Sequence, residues 1–213
     1  MGNLYLLDII IAIISFVVIV SSFFKPTFRY VRWLVGFLFA GVTVILVKSV
    51  KVFNFVENAL VNFLDKIKFA NFAEIVIEFF KGDITDSSKL NQASHVMALA
   101  ILGLLVFILV NVIMGLSHGA KVRRENKKGN YVYNKPFASF ILSLFCVVFG
   151  VVAVTITFKA LPFSVNYVST ENSYIMYYTY NGLNFVFDSL KSVIPSMRSL
   201  DDYIKVITYV KGA

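Results

Sequence analysis

The sequence predicts an all-α integral membrane protein with four transmembrane helices and with amphipathic interfacial helices in the second loop and the C-terminal region. Of the 213 residues, 58% are hydrophobic and only 15% are charged. The mean hydropathy is +0.78, which is typical of membrane proteins. Four long apolar runs are separated by charged segments. We expect residues 1–161 to form a four-span membrane domain that includes an amphipathic loop over residues 48–92. Residues 162–213 are expected to form an extramembrane or interfacial helical tail.

The first apolar run covers residues 4–24, which is enough helix to cross the hydrocarbon core of a bilayer. Asp8 is the one charged residue in this run. A carboxylate deep in a membrane is costly, so it indicates a functional group unless the side chain reaches the headgroups. Both interpretations of Asp8 are open at the level of sequence.

A basic turn and a second span follow the first run. The turn contains Lys25, Arg29 and Arg32 and no acidic residue. Trp33 then opens the second span, which runs to about residue 47, and an aromatic residue at this position suits the membrane interface.

Small residues at helical spacing predict close packing between spans. In the second and third spans these residues are Gly36, Ala40, Gly41 and Gly115, and in the fourth span they are Ser139 and Ser143.

The second loop, residues 48–92, has six basic and six acidic side chains and is not a span. Its apolar residues recur at helical spacing, which predicts two amphipathic helices. The first helix presents Phe53, Val56, Leu60, Phe63 and Ile67 on one face, and the second covers about residues 72–79. We expect both helices to lie in the interface or against the spans. A re-entrant hairpin and a partner-binding helical pair are the alternatives.

The third span is expected over residues 93–116 and contains Asn111. An amide inside a span must find a hydrogen-bond partner, because lipid offers none. A packing hydrogen bond to a neighbouring helix and a polar lining for a path are both compatible with the sequence. The fourth span is expected over residues 136–161. The tail beyond it has helical spacing over residues 183–194 and 200–210.

The third loop, residues 117–135, carries six basic side chains and one acidic side chain. Such loops mark the cytoplasmic side and contact anionic phospholipid headgroups, so a nucleic acid partner is not expected. The positive-inside rule therefore places loops one and three in the cytoplasm, and both termini outside. The basic residues of the first and third loops assigned to this surface are Lys25, Arg29, Arg32, Lys121, Arg123, Arg124, Lys127 and Lys128.

Three motifs resemble the colicin V production protein family (CvpA), which comprises small bacterial inner-membrane proteins with four spans. Asp8 is followed by the basic turn and by Arg32-Trp33. The segment VNVIMG at residues 110–115 is similar to the family's Val-Asn-x-x-x-Gly, and Asn134-Lys135 stands where the family usually has Asp-Arg. The resemblance covers about residues 4–161. It implies residence in the cell (inner, cytoplasmic) membrane and a role in toxin production or export and in envelope homeostasis.

The sequence contains no Gly-rich phosphate loop, no GxSxG and no HExxH motif, so we expect no enzyme activity and no cofactor. His95 and His118 have no carboxylate or thiol at ligand spacing, so no metal site is expected. Two hypotheses remain. The favoured one is a structural or assembly component that binds a membrane-protein partner or forms a homo-oligomer. The alternative is a small oligomeric channel or transporter with a path lined by Asp8 and Asn111.

Overall fold

The computed structural model describes residues 6–49, 54–66, 87–127, 135–162, 164, 168–169 and 172–208. These residues form helices and no strand, so the all-helical prediction is confirmed for this part of the chain. The helices, numbered in chain order, are α1 (Leu6–Ser21), α2 (Thr27–Ser49), α3 (Asn54–Lys66), α4 (Ser87–Lys127), α5 (Pro136–Ala160), α6 (Tyr174–Val193) and α7 (Leu200–Thr208).

Among the described residues, three helices are long and apolar enough to cross a membrane. They are Thr27–Lys48 in α2, Gln92–Gly119 in α4, and Pro136–Ala160, which is α5. Their 22, 28 and 25 residues exceed the roughly 20 residues that a bilayer core requires. α1 is apolar but has 16 residues in the described part of the chain, which is about 24 Å of helix. The first of the four expected spans therefore stays a prediction.

α2 begins at Thr27, ahead of the span boundary expected at Trp33. Residues 22–26 connect α1 to α2. Arg29 and Arg32 therefore lie in the first turns of a helix and not in a turn between helices. The boundary expected at Trp33 lies after the observed helix start, because hydropathy shows where a chain enters the apolar layer and not where its helix begins.

α4 continues to Lys127, beyond the span end expected at residue 116. The first half of the predicted basic loop is thus helical, because Lys and Arg are good helix formers in water. The 41 residues of α4 correspond to about 60 Å of helix, roughly twice the thickness of a bilayer core. Part of this helix therefore extends beyond the apolar layer.

The second loop contains α3, which covers most of the first predicted amphipathic stretch. On its predicted apolar face, Val56 and Leu60 are half-buried and Phe63 is exposed. Phe53, Ile67 and the second predicted stretch, residues 72–79, lie outside the described residues. The interfacial placement of this loop stays a prediction.

In the tail, α6 begins at Tyr174, nine residues before the apolar repeat that predicted it. Ser173 explains the earlier start. It has extended backbone angles (φ −157°, ψ 112°), and its hydroxyl accepts a hydrogen bond from the Met176 N–H, which makes it an N-cap. The second tail helix, α7, covers nearly all of the predicted range.

The chain forms two compact units. The first comprises Met1–Ile9, Val44–Leu102 and Val151–Ala213, and the second comprises Ile10–Thr43 and Gly103–Gly150. We expected a membrane domain over residues 1–161 and a tail over residues 162–213. That division stays a prediction, because the two compact units do not show which residues lie in a membrane. In the first unit the buried apolar side chains include Val47, Ala93, Val96, Leu99, Ala160, Met176, Tyr180, Leu200 and Ile204.

In the second unit, α2 packs antiparallel to α4. The ring of Phe28 stacks on His118 with 3.8 Å between centroids, and Phe37 lies 4.8 Å from Phe107. Later residues of α2 therefore contact earlier residues of α4.

α2 and α5 run parallel in the same unit. The hydroxyls of Thr27 and Ser139 are hydrogen-bonded at 2.8 Å, and the Cys146 thiol donates to the Tyr30 carbonyl oxygen at 3.5 Å. The start of α2, the start of α5 and the end of α4 thus lie at one end of this unit.

Candidate functional site

Where α2 packs on α4, each helix has one polar side chain that contacts the other helix. Arg32 lies in the second turn of α2, and Asn111 lies within the apolar part of α4. A Cβ on Gly115 would collide with Arg32 Nη1, and a Cβ on Gly36 would lie 2.6 Å from Asn111 Nδ2. Each glycine therefore leaves the space that a polar side chain of the other helix fills.

Both polar side chains have a buried atom that lacks a hydrogen-bond partner among the described residues. These atoms are Arg32 Nε and Asn111 Oδ1. The orientation of the Asn111 amide is defined, because its Nδ2 donates to the Phe107 carbonyl oxygen at 2.8 Å. An unpaired buried donor or acceptor costs about 1–3 kcal/mol and is rare in folded proteins. The pair therefore marks a position where an outside partner would be stabilised.

Arg32 and Asn111 line the same cavity, which has a volume of about 400 Å³. Trp33, Phe107 and Val112 form part of its wall. Ligand sites in proteins have volumes of about 300–1,000 Å³, are mostly apolar and contain a few polar groups that orient the ligand. The cavity has these properties. The Arg32 guanidinium gives one side of this cavity a positive charge, which favours anionic groups.

Asp8, the other polar residue predicted within a span, belongs to the first unit and lies at the N-terminus of α6. Its carboxylate accepts hydrogen bonds from the Ser173 hydroxyl, from the Tyr174 N–H at 3.0 Å and from the Ile175 N–H at 3.4 Å. The first N–H groups of a helix have no partner within the helix and carry partial positive charge. Asp8 satisfies two of them, so its charge stabilises the start of α6.

Tyr180 of α6 forms a second polar contact in the first unit. Its hydroxyl donates to the Asp201 carboxylate of α7, and the Lys159 ammonium lies 4.6 Å from the centre of its ring. Burial, followed by the hydrogen bond to Asp201, raises the pKa of the Tyr180 phenol above its ordinary value of 10.0. The phenol therefore stays protonated and keeps α6 joined to α7.

α7 begins with a capping box formed by Ser199 and Asp202. The Ser199 hydroxyl accepts from the Asp202 N–H at 3.2 Å, and the Asp202 carboxylate accepts from the Ser199 hydroxyl at 2.7 Å and from the Ser199 N–H at 3.3 Å. These reciprocal bonds satisfy N–H groups that the helix leaves open. The hydrogen bonds from Ser199 lower the pKa of Asp202 below its ordinary value of 3.8.

The predicted small packing residues have different surroundings. Ser139 and Ser143 are fully buried. Ser139 bonds to Thr27, whereas Ser143 donates to the Phe140 carbonyl oxygen of its own helix at 2.7 Å. Ala40 is half-buried, and a Cβ on Gly41 would have no atom of the described residues within 4 Å. A packing role for Gly41 stays a prediction.

The predicted basic surface is only partly described. Lys25 and Lys121 are exposed. Arg29 lies over the ring of Trp33 at 4.8 Å from the ring centre, and Arg32 enters the cavity. Arg123, Arg124 and Lys127 belong to α4, and Lys128 lies outside the described residues. Arg32 thus differs from exposed Lys25 and Lys121, since it is half-buried and its Nε atom is fully buried.

Sequence reasoning missed the pairing of Arg32 with Gly115 and the cap that Asp8 places on α6. A signal for the first was present, because Arg32-x-x-x-Gly36 at the entrance of the second expected span and Asn111-x-x-x-Gly115 within the third repeat one pattern. No local signal connects Asp8 with Ser173, which is 165 residues away. Within the described ranges, no group of three His, Cys, Asp or Glu residues could hold a metal ion.

Comparisons of the chain with protein-family models, with curated proteins and with solved structures find no match. The resemblance to the colicin V production family accordingly stays a prediction from its motifs. The class of protein follows from the fold, because three apolar helices of membrane-spanning length indicate a helical membrane protein.

Proposed function

We propose that the chain is a multi-pass membrane protein with a structural or assembly role of the kind that its resemblance to the colicin V production family implies. The observation that carries this proposal is the engagement of Asp8 by Ser173 and by two N–H groups of α6. A carboxylate that lines an ion path must exchange its partners with the permeating species. A carboxylate held by three donors stabilises a fold instead.

In this proposal α1, α2, α4 and α5 cross the inner membrane, and both termini lie outside. Loops one and three lie in the cytoplasm, beside anionic phospholipid headgroups. The shared end of α2, α4 and α5 supports this arrangement, because exposed Lys25 and Lys121 belong to that end and basic residues are retained on the cytoplasmic side.

The second loop is the surface that we assign to a membrane-protein partner or to a second copy of this chain. Phe55 and Phe63 of α3 are 66% and 57% exposed. Large exposed aromatic side chains on a helix of moderate polarity favour contact with another apolar surface.

The proposal is tested by measuring the mass of the purified complex and the ion flux of liposomes that contain it. Wild type is compared with Asp8→Asn, and the matched control is Asp188→Asn, which removes the same charge from an exposed position on α6. We expect no flux from any of the three proteins, and a mass that includes a partner protein or additional copies. A flux that changes with Asp8→Asn and not with Asp188→Asn would overturn the structural role.

An oligomeric channel lined by Asp8 and Asn111 is the second candidate. It is supported by Asn111 Oδ1, a buried atom of a cavity-lining residue that has no hydrogen-bond partner among the described residues. The same experiment distinguishes the two candidates, since the channel requires a closed homo-oligomer together with measurable flux.

A further inference from the structure

The Arg32 guanidinium lacks a carboxylate partner. Its Nε atom is buried, and it forms no ion pair among the described residues. The three helices of membrane-spanning length contain no acidic residue. Glu125, the acidic residue of α4, lies ten residues beyond Gly115, which is about 15 Å along the helix. A cation at the edge of the apolar layer is costly when it is unpaired, so a carboxylate from another molecule would stabilise Arg32.

Asn111 adds a second requirement about one helical turn deeper in the span. Arg32 lies at the level of Gly115, whereas Asn111 lies at the level of Gly36, and four residues of helix correspond to about 6 Å. The Oδ1 atom of Asn111 has no partner among the described residues, because its Nδ2 is the atom that bonds to Phe107. Acyl chains at this depth carry no hydrogen-bond donor, so a lipid whose phosphate pairs with Arg32 leaves Asn111 unsatisfied.

The separation of the two groups matches the face of a helix. Residues four apart in a helix lie on the same face and differ in height by about 6 Å. A helix with Asp or Glu at the level of Arg32 and a donor four residues nearer the bilayer centre therefore satisfies both groups. The donor is a hydroxyl or an amide, because an ammonium would place a second cation in the apolar layer close to the guanidinium.

The apolar wall of the cavity provides a surface for such a helix. Ile108, Val112 and Leu116 line the cavity at four-residue intervals along α4 and are 48%, 51% and 71% exposed. Side chains at this interval form a ridge against which a second helix packs. The volume of about 400 Å³ accommodates the polar side chains of that helix, and its apolar side chains would cover the ridge.

We propose that the cavity between α2 and α4 receives a transmembrane helix of another protein. That helix has Asp or Glu paired with Arg32 and a hydroxyl or amide side chain that donates to Asn111. A second copy of this chain would not supply it, because Asp8 is the one acidic residue of the expected spans and is bound at the start of α6. The inference rests on the proposed assembly role and assigns the chemistry of the partner.

The test uses Trp33, the single tryptophan of the chain, which lines the cavity. Energy transfer from Trp33 to dansyl-labelled synthetic peptides is measured with the full chain in phosphatidylcholine vesicles. The peptides are leucine-rich, contain no tryptophan and have about 20 residues, enough to span the bilayer. The first carries Glu near one end and Ser four residues nearer the centre. The second has Gln in place of Glu. The third has the composition of the first, with Ser two residues from Glu and thus on another face.

Wild type is expected to distinguish the three peptides. The first should bind about tenfold more tightly than the second, since a charge-assisted pair is about twice as strong as a bond to a neutral acceptor. It should bind about threefold more tightly than the third, which is the usual effect of one hydrogen bond between helices in a membrane.

Two variants separate the two contacts. Arg32→Gln should abolish the preference for the first peptide over the second. Asn111→Leu should keep that preference and abolish the preference for the first peptide over the third. Lys25→Gln removes an exposed charge outside the cavity and should bind all three peptides as wild type does. If Arg32→Gln fails to fold, the three peptides with wild type decide the matter.

Equal binding of the first and second peptides by wild type would overturn the proposal. So would an equal loss of preference in Lys25→Gln and Arg32→Gln, because it would assign the effect to general surface charge. The measurement is repeated with phosphatidylglycerol in the vesicles, and the preference should persist. If the anionic lipid abolishes it, Arg32 pairs with lipid phosphate and not with a helix, and the proposal is wrong.

These outcomes are separate from those that test the assembly role. If the peptides bind equally and the mass of the complex includes a partner protein, the partner binds elsewhere, and the assembly role is retained without this site. If wild type prefers the first peptide but conducts ions as a closed homo-oligomer, the site is retained and the assembly role is overturned.

Discussion

The guanidinium of Arg32 on α2 occupies the space in which Gly115 of α4 would carry a Cβ. The relation is reciprocal, since Asn111 of α4 lies over Gly36 of α2. The two helices run antiparallel, so the polar residue of one pattern faces the glycine of the other. Each helix has a polar residue followed four positions later by a glycine. The two patterns together give two equivalent contacts, Arg32 with Gly115 and Asn111 with Gly36.

The contact at Gly36 predicts that alanine substitutions at two glycines of α2 have different effects on stability. Gly36→Ala should destabilise the protein by about 1–3 kcal/mol, as overpacking of a tight contact does, because the Cβ would lie 2.6 Å from Asn111 Nδ2 and 2.8 Å from the ring of Phe107. Gly41→Ala is the matched control, since its Cβ would contact no atom in the part of the chain that the structure describes. Thermal unfolding in detergent measures both. Equal unfolding temperatures for the two variants would contradict the packing of α2 on α4.

The Asp8 cap predicts local loosening of the tail. Asp8→Asn removes the negative charge of the carboxylate that accepts hydrogen bonds from Ser173, Tyr174 and Ile175. Hydrogen bonds to charged groups contribute about 1.5–3 kcal/mol to stability. Amide hydrogen exchange at the start of α6 should become about tenfold faster or more. Asp188→Asn, at an exposed position of α6, should leave that exchange unchanged. Unaltered exchange in Asp8→Asn would show that the contact does not stabilise the helix.

Tyr180 predicts a loss of stability in alkali. A raised pKa in the folded state means that the contribution of this phenol is complete below its ordinary value of 10.0 and is lost as the pH rises through the raised value. Asp201→Asn should lower the pKa of Tyr180 without restoring the ordinary value, because burial is the larger cause. Absorbance titration of tyrosinate measures the shift, with Tyr180→Phe identifying the signal. An unchanged pKa in Asp201→Asn would exclude the hydrogen bond as a cause.

The capping box predicts a loss of stability in acid. The pKa of Asp202 is lowered in the folded state, so its contribution is present above the ordinary value of 3.8 and is lost as the pH falls through the lowered value. At neutral pH, Ser199→Ala should cost about 1 kcal/mol, as loss of an N-cap does. The difference in unfolding temperature between wild type and Asp202→Asn should shrink as the pH falls below about 4. A difference that stays constant with pH would mean that the carboxylate charge is not involved.

Much of the helical fold was predictable from hydropathy and helical spacing. The second, third and fourth apolar runs were long enough to predict helices, and α7 was predicted nearly to the residue. Helix ends were predicted less well. α4 continues to Lys127 because charged residues stop a membrane span without stopping a helix, and α6 starts early because Ser173 caps it.

The candidate site was predictable only in part. The sequence predicts Asn111 as a polar site residue, because an amide in an apolar run has few hydrogen-bond partners. Arg32 was assigned to a basic turn, since its neighbours Arg29 and Lys25 are also basic. Only the packing of α2 on α4 shows that the Nε atom of Arg32 is buried whereas Lys25 is exposed.

The sequence by itself determined that the chain is helical and apolar, and where its longest helices lie, because these properties depend on residues that are near one another in the chain. The tertiary structure decided the partners of the polar residues. The sequence left Asp8 compatible with a path or an anchor, and only the tertiary structure shows that its carboxylate accepts a hydrogen bond from Ser173 at the start of α6. Arg32 and Asn111 became one site because the antiparallel packing of two helices placed each opposite a glycine, and such packing depends on residues that are distant in the chain.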